Sequence, residues 1–221
     1  MASRMNATAQ AAATEAPAPR TRSDARQEQL IEIAIRLFAR KGYEGTSLRD
    51  IADEAEITKA ALYYHFPNKE ALYERIVLQS MQALVDSVRD AMVAGSTPAE
   101  KVRIFMLASA DFLDRSRDSW IAGSNAFWSG SASDPRRAAV YLRDEYEHLL
   151  RDCIGEAIAA GQFRAVDASM AGRMLLSMLN HISRWHSPNG RLSTRQVIDQ
   201  YLDIAFVGLN AQPAPQAADG R

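Results

Sequence analysis

Between Thr58 and Phe66 the chain reads TKAALYYHF, and the side chains of that run suit contact with a nucleic-acid duplex. Lys59 brings a charge that can meet a guanine edge or a phosphate, while Ala60 and Ala61 let a backbone come close and offer methyls to a thymine methyl. Tyr63, Tyr64 and His65 carry hydrogen-bonding tips on flat apolar bodies, a combination that serves against phosphates and sugars. Lys69, at the start of the next helix, adds a positive end. The competing reading packs these aromatics against a neighbouring helix, and Leu62 and Phe66 are given that inward role here. Other reactive side chains form no comparable pattern. His148, His181, His186 and the single Cys153 lack metal-ligand spacing, since His181 and His186 are five apart and do not stack on one helix face. No glycine-rich phosphate loop and no nucleophile elbow occur in the chain. Neither an enzyme nor a cofactor is expected.

Such a run needs a helix held away from the body of the protein by a second helix and a tight turn. Ser47 is a good N-cap, and Asp50 three residues later completes a capping-box-like pair, so a helix is expected from Leu48 with Leu48, Ile51, Ala52 and Ala55 on its apolar face. Glu56 and Ile57 make the turn, and Thr58 caps the helix that carries the duplex-facing residues. Ahead of the pair, Ser23 is placed to cap a supporting helix that reaches Lys41, with Leu30, Ile33, Ala34, Leu37 and Phe38 as its inner stripe and Gly42 as its stop. Behind it, Asn68 caps a long helix from Lys69 to about residue 94.

The stretch TSLRDIADEAEITKAALYYHFPNKEALYERIV resembles the DNA-binding domain of the TetR family of one-component regulators. The resemblance implies an all-α protein: a three-helix helix-turn-helix domain followed by a helical bundle for ligand binding and dimerisation. It implies that Arg49 reaches bases, that Thr46 and Ser47 sit near phosphate, and that Thr58, Lys59, Ala60, Ala61, Tyr63, Tyr64, His65 and Lys69 line the recognition surface. It also implies that the long helix swings as effector occupancy changes. One departure stands out: this chain has Glu56 where the family's turn usually has glycine. A positive φ there strains a residue with a Cβ by about 1 kcal/mol.

With 221 residues, 47% hydrophobic and 24% charged, the chain is long enough for one large or two small cores. Its formal net charge is −1, and from Arg20 to Arg75 there are ten Lys/Arg and ten Asp/Glu, so DNA binding rests on where charges stand rather than on their sum. One cysteine excludes an internal disulfide framework and fits a reducing, cytoplasmic setting. Residues 1–22 lack the apolar core of a signal peptide and read as a disordered tail. Within it, Arg20 and Arg22 suit either an arm entering a minor groove or plain solvation. Residues 23–84 are the expected DNA-binding domain, with the motif at 47–66. Residues 85–210 are the expected effector and dimer domain, and 211–221 a second tail.

Beyond Gly95 the pattern is helical throughout. Thr97-Pro98-Ala99-Glu100 is a strong helix start, an irregular stretch at 120–130 is expected, and later helices are read at 134–161, 168–186 and 194–210. Phe105, Trp120, Trp128, Tyr146, Met174, Met178 and Trp185 belong to an aromatic and methionine-rich set able to line an apolar cavity, with Asn125 and His181 as polar candidates beside it. Ordinary core is the other reading of that set. Ala168, Ala171, Gly172 and Ser177, with Val197, Ile198, Tyr201, Leu202 and Ala205, are the expected homodimer face; closing the monomer's own core is the alternative. The segment LSMLNHISRWHSPNGRLSTRQV is similar to the C-terminal domains of TetR-type regulators that respond to acyl-CoA thioesters and related lipid catabolites. His181 and His186 stand where aromatic residues are frequent in them. Arg136, Arg137 and Arg184 are available to meet an acidic group. The expected partners are double-stranded operator DNA, a second copy of the chain and a hydrophobic small molecule. A co-activator or chromosome-organising adaptor of the same fold is the alternative.

Overall fold

The computed structural model describes residues 22–124 and 134–209. Among them are nine helices and no strand: α1 Arg22–Lys41, α2 Leu48–Glu54, α3 Lys59–His65, α4 Lys69–Met92, α5 Pro98–Arg115, α6 Arg117–Ser124, α7 Asp134–Ala159, α8 Ala168–Trp185 and α9 Thr194–Leu209. The starts follow local chemistry. Ser47, Thr58, Asn68 and Thr97 each accept a hydrogen bond from the backbone N–H three residues on, which satisfies one of the donors every helix leaves open at its first turn. At Ser47 the capping box is complete, since the Asp50 carboxylate also accepts from the Ser47 N–H at 2.8 Å. Ser23 lies inside α1 rather than ahead of it.

Two apolar clusters divide the helices. Leu30, Leu37, Phe38, Ile51, Leu62, Leu72 and Ile76 from α1 to α4 form the smaller, and Ala122 of α6 and Ala139 of α7 join it. Val85, Val88, Phe105, Leu113, Leu150, Ile154, Leu175, Leu179, Ile198 and Leu202 are among the members of the larger, contributed by α4, α5, α7, α8 and α9. α4 runs through both, and Met81 packs against each. No helix of the described residues is long and apolar enough to cross a membrane.

Two features differ from the sequence expectation. Part of the stretch read as irregular is helical: α5 breaks at Ser116 (φ −131, ψ 40), and α6 restarts at once with the Trp120 N–H on the Ser116 carbonyl at 2.9 Å. The face read on α8 and α9 is also partly turned inward, with Ser177 left outside. Ala171, Gly172, Val197, Ile198 and Leu202, read as a dimer face, are buried against the chain's own helices. Gly172 faces Ile154 of α7, and a Cβ added there would make only an ordinary contact at 3.8 Å, so the approach of α8 to α7 does not depend on glycine.

Candidate nucleic-acid interface

α3 is a short helix with one buried row. Leu62 is enclosed and Phe66, its C-cap, is 3% exposed, and together they fix α3 to α1, α2 and α4. The remaining positions face outward: Lys59, Ala60, Ala61 and Tyr63 are exposed along with the cap Thr58, Tyr64 is 83% exposed, and His65 is half-buried beside it with ring centroids 5.3 Å apart. The Lys59 ammonium lies 5.4 Å from the Tyr63 ring centre, so cation and aromatic form one patch. An outward helix carrying a cation, three polar-tipped rings and two small residues has the shape and the donors to enter a major groove.

The neighbouring groups hold this helix at a fixed angle. α2 ends in a Schellman motif, with Ile57 N–H on the Ala52 carbonyl and Glu56 N–H on the Asp53 carbonyl at 3.0 and 3.2 Å. Glu56 therefore takes the left-handed position, φ 53, and is the one non-glycine residue there among those described. The same bond pair closes α7, where the position is filled by Gly161 at φ 69. Arg26 of α1 donates to the Ala55 carbonyl at 3.1 Å, tying the end of α2 to the supporting helix. The turn between α2 and α3 is thus built as a rigid corner.

Charges on α2 are partly engaged. Arg49 is exposed and lies 3.7 Å from the Asp53 carboxylate, a solvated pair that holds it only weakly. Lys41 and Asp50 pair at 3.2 Å, and hydrogen bonds from Ser47, with Lys41 behind them, hold the Asp50 carboxyl down at about 2. Lys69 sits over the Tyr43 ring at 4.1 Å and donates to the Tyr43 carbonyl at 2.9 Å. Thr46 departs from its expected place near phosphate: it is 1% exposed, and its hydroxyl donates to the Gly42 carbonyl at 2.8 Å. It builds the loop after α1 from inside. Arg26 and Tyr43 are the residues of this site that sequence reasoning missed. Their partners lie 29 and 26 positions away, and no spacing rule reaches that far.

In the larger half, Phe105, Trp120 and Tyr146 are buried in one cluster, with Met178 packed against it. Phe105 and Tyr146 have centroids 4.6 Å apart, and Phe112 and Trp120 6.5 Å. A polar relay crosses this apolar region: the Ser109 hydroxyl donates to the Phe105 carbonyl at 2.8 Å and pairs with the Tyr146 hydroxyl at 2.7 Å. Because Ser109 spends its proton on Phe105, the Tyr146 hydroxyl is the donor within the pair. Burial pushes the Tyr146 phenol well above its ordinary pKa, so it stays protonated, and burial with Glu156 nearby raises the Cys153 thiol.

Met174, His181 and Trp185 are not brought into that interior. They lie on the outer side of α8, Met174 45% and Trp185 57% exposed, in a row Met170, Met174, Ser177, His181, Trp185 at steps of three and four. Met170, Met174 and Met178 do not share a face, because eight residues at 3.6 per turn rotate the last by roughly 80°. Met178 turns inward. Asn125 and Trp128 lie outside the described residues, as does the side chain of Arg136; Arg137 and Arg184 are exposed.

Comparison with known proteins covers both halves. Residues 30–76 match the family described as bacterial regulatory proteins, tetR family, and residues 95–209 match the tetracyclin repressor-like C-terminal domain. The HTH-type transcriptional repressor KstR2 of Mycobacterium tuberculosis is 27% identical over 191 residues, covering 86% of this chain and 95% of that protein. The structure of that ketosteroid transcriptional regulator superposes with a TM-score of 0.78 at 25% identity, over 85% of this chain and 96% of the other. PfmR from Thermus thermophilus, a TetR family transcriptional regulator, gives a TM-score of 0.75 at 35% identity, over 82% and 99% of the two chains. AibR, solved with isovaleryl coenzyme A and operator DNA, gives 0.74 at 29% identity, over 82% and 98%.

Proposed function

The chain belongs to the tetR family of bacterial regulatory proteins, transcriptional regulators that are not enzymes, and on that premise we propose a dimeric repressor released from its operator by a hydrophobic effector. The observation that carries the DNA half of this reading is the one-sided burial of α3: Leu62 and Phe66 inside, Lys59, Ala60, Ala61, Tyr63 and Tyr64 outside. Each protomer sets α3 in a major groove, with the two grooves one or more turns of roughly 10 bp apart on a pseudo-palindromic site. Ser47, Arg49, Thr58, His65 and Lys69 meet the flanking backbone and base edges. The operator overlaps a promoter, and occupancy blocks transcription.

The effector half rests on the buried Phe105, Trp120 and Tyr146 with Met178, an adaptable apolar set in which the Tyr146 hydroxyl, its proton engaged by Ser109, keeps an acceptor lone pair. An acyl-CoA, or a fatty-acid or steroid-derived metabolite, is the class we assign. This agrees with the isovaleryl coenzyme A bound by AibR and with KstR2 being a ketosteroid transcriptional regulator. Effector and DNA weaken one another by the same factor, because each prefers a different spacing of the two reading helices.

The test is fluorescence anisotropy of the purified protein on labelled DNA from its own upstream region, titrated with acyl-CoAs, free fatty acids and steroid acids. Salt-dependent binding reversed by one class supports the whole reading. Binding that none reverses removes the lipid effector, and no site-specific binding favours an adaptor. Within that assay, Lys69→Ala weakens binding to all sequences and lowers the salt slope by about 1, whereas Lys59→Ala also relaxes base preference. A Lys69→Ala protein with unchanged affinity and slope removes the phosphate role.

A further inference from the structure

A continuous line of contacts runs from the effector half to the Lys69 ammonium. The Tyr73 hydroxyl of α4, in a residue only 6% exposed, donates to the Ala122 carbonyl of α6 at 2.6 Å, across 49 residues of sequence. This bond gives the Ala122 carbonyl a side-chain donor from α4 and ties the two helices at one point. The Tyr73 ring packs against Tyr43 with centroids 4.6 Å apart, and Phe38 closes the group at 5.1 Å from Tyr73 and 5.8 Å from Tyr43. Tyr43 in turn carries Lys69, by its ring face and by its carbonyl.

Lysine is a point charge on a flexible stem, and its position is set by what it rests on. Of its three N–H donors, Lys69 gives one to the Tyr43 carbonyl, which leaves two for oxygen atoms of a partner. Held this way, the ammonium is ordered before DNA arrives, and less side-chain freedom is lost on binding.

We propose that Tyr73 is a positioning residue for DNA binding: its hydroxyl, anchored on α6, fixes the Tyr43 platform from which Lys69 meets the DNA backbone. The inference rests on the DNA-binding reading above and on the phosphate role of Lys69. A shift of α6 moves the Ala122 carbonyl, tilts the aromatic group and takes the charge off its mark. Contact by contact, the reading surface is adjusted from the other half of the molecule.

Tyr73→Phe keeps the ring and removes only the hydroxyl, so it isolates the anchor. In full-length protein on duplex DNA from the upstream region, this variant should bind about 3- to 10-fold more weakly, with a salt slope reduced toward that of Lys69→Ala. In a Lys69→Ala background the same change should cost less than about two-fold, because the two residues act through one contact. Tyr43→Leu, which removes the platform instead of its anchor, should show the same dependence on Lys69. Hydrogen exchange supplies the link to α6: DNA should protect residues 117–124 in the unaltered protein and not in Tyr73→Phe. A Tyr73→Phe effect that persists in full without Lys69, or equal protection of α6 in both proteins, overturns the proposal. If the unaltered protein shows no salt-dependent DNA binding, the DNA reading itself fails, an outcome distinct from normal binding with an additive cycle.

Discussion

Glu56 holds a backbone conformation that its Cβ resists, at a C′ position where glycine is the usual solution. Glu56→Gly should raise the unfolding free energy by about 0.5–1 kcal/mol, read by urea denaturation, while Glu56→Ala keeps the Cβ and should gain none of it. Both remove the same carboxylate, so any gain in DNA affinity common to the two reports charge rather than strain. Asp50 gives a prediction with a pH signature. Its folded value of about 2 lies below the ordinary 3.8, so the ionised form is favoured by folding. Its contribution is complete above about 4 and fades as pH falls toward 2. The denaturation midpoints of Asp50→Asn and the unaltered protein should therefore differ at pH 6 and converge by about pH 2; a constant gap across that range would remove the capping-box account. Residues of this kind were legible in the sequence, because Ser47 with Asp50, Thr58 with Ala61 and Asn68 with Ala71 satisfy one another within three positions. The Tyr43 perch of Lys69 and the Tyr73 anchor were not, since each depends on helices meeting that are far apart in the chain.

At the scale of elements, α3 has seven residues, too few to be stable in water alone, and it keeps its shape by what Leu62 buries. Leu62→Ala should cost about 2–5 kcal/mol and abolish specific DNA binding while leaving α7 to α9 folded. Far-ultraviolet circular dichroism with the anisotropy assay checks both parts, and retention of full affinity would show that α3 is held by something else. Element existence was readable from caps and period nearly everywhere. On α8 and α9 the expected dimer face divided, with Ala171, Gly172, Val197, Ile198 and Leu202 buried and Ser177 exposed. Both helices carry apolar residues on more than one side, so periodicity could not say which side met the chain's own helices, α7 for α8 and α5 for α9. The α6 helix escaped because its eight residues follow a break of one residue, with the Ser116 carbonyl serving as its first acceptor.

Considered whole, the molecule leaves large apolar side chains of α8 and α9 uncovered. Met170, Met174 and Trp185 on α8 and Ile204 and Val207 on α9 are exposed, the last two at 74% each, and these are the residues we assign to the proposed dimer face. Met174→Glu should raise the dimer dissociation constant at least tenfold, about 1.4 kcal/mol, with helicity unchanged, as read by sedimentation velocity. A dimer of undiminished strength would move the interface elsewhere. Ala122 and Ala139 bear differently on the same scale. A boundary drawn after residue 84 leaves both on the far side, yet they belong to the apolar cluster that holds the reading head together, with α6 packed on α1 and α4. Anyone building a hybrid by joining this reading head to a foreign sensor would sever those two methyl groups from the cluster they join. The apolar cluster under the reading head is therefore drawn from residues 22–92 together with α6 and the start of α7, lengths of chain separated by α5 in the sequence, and a single cut divides it.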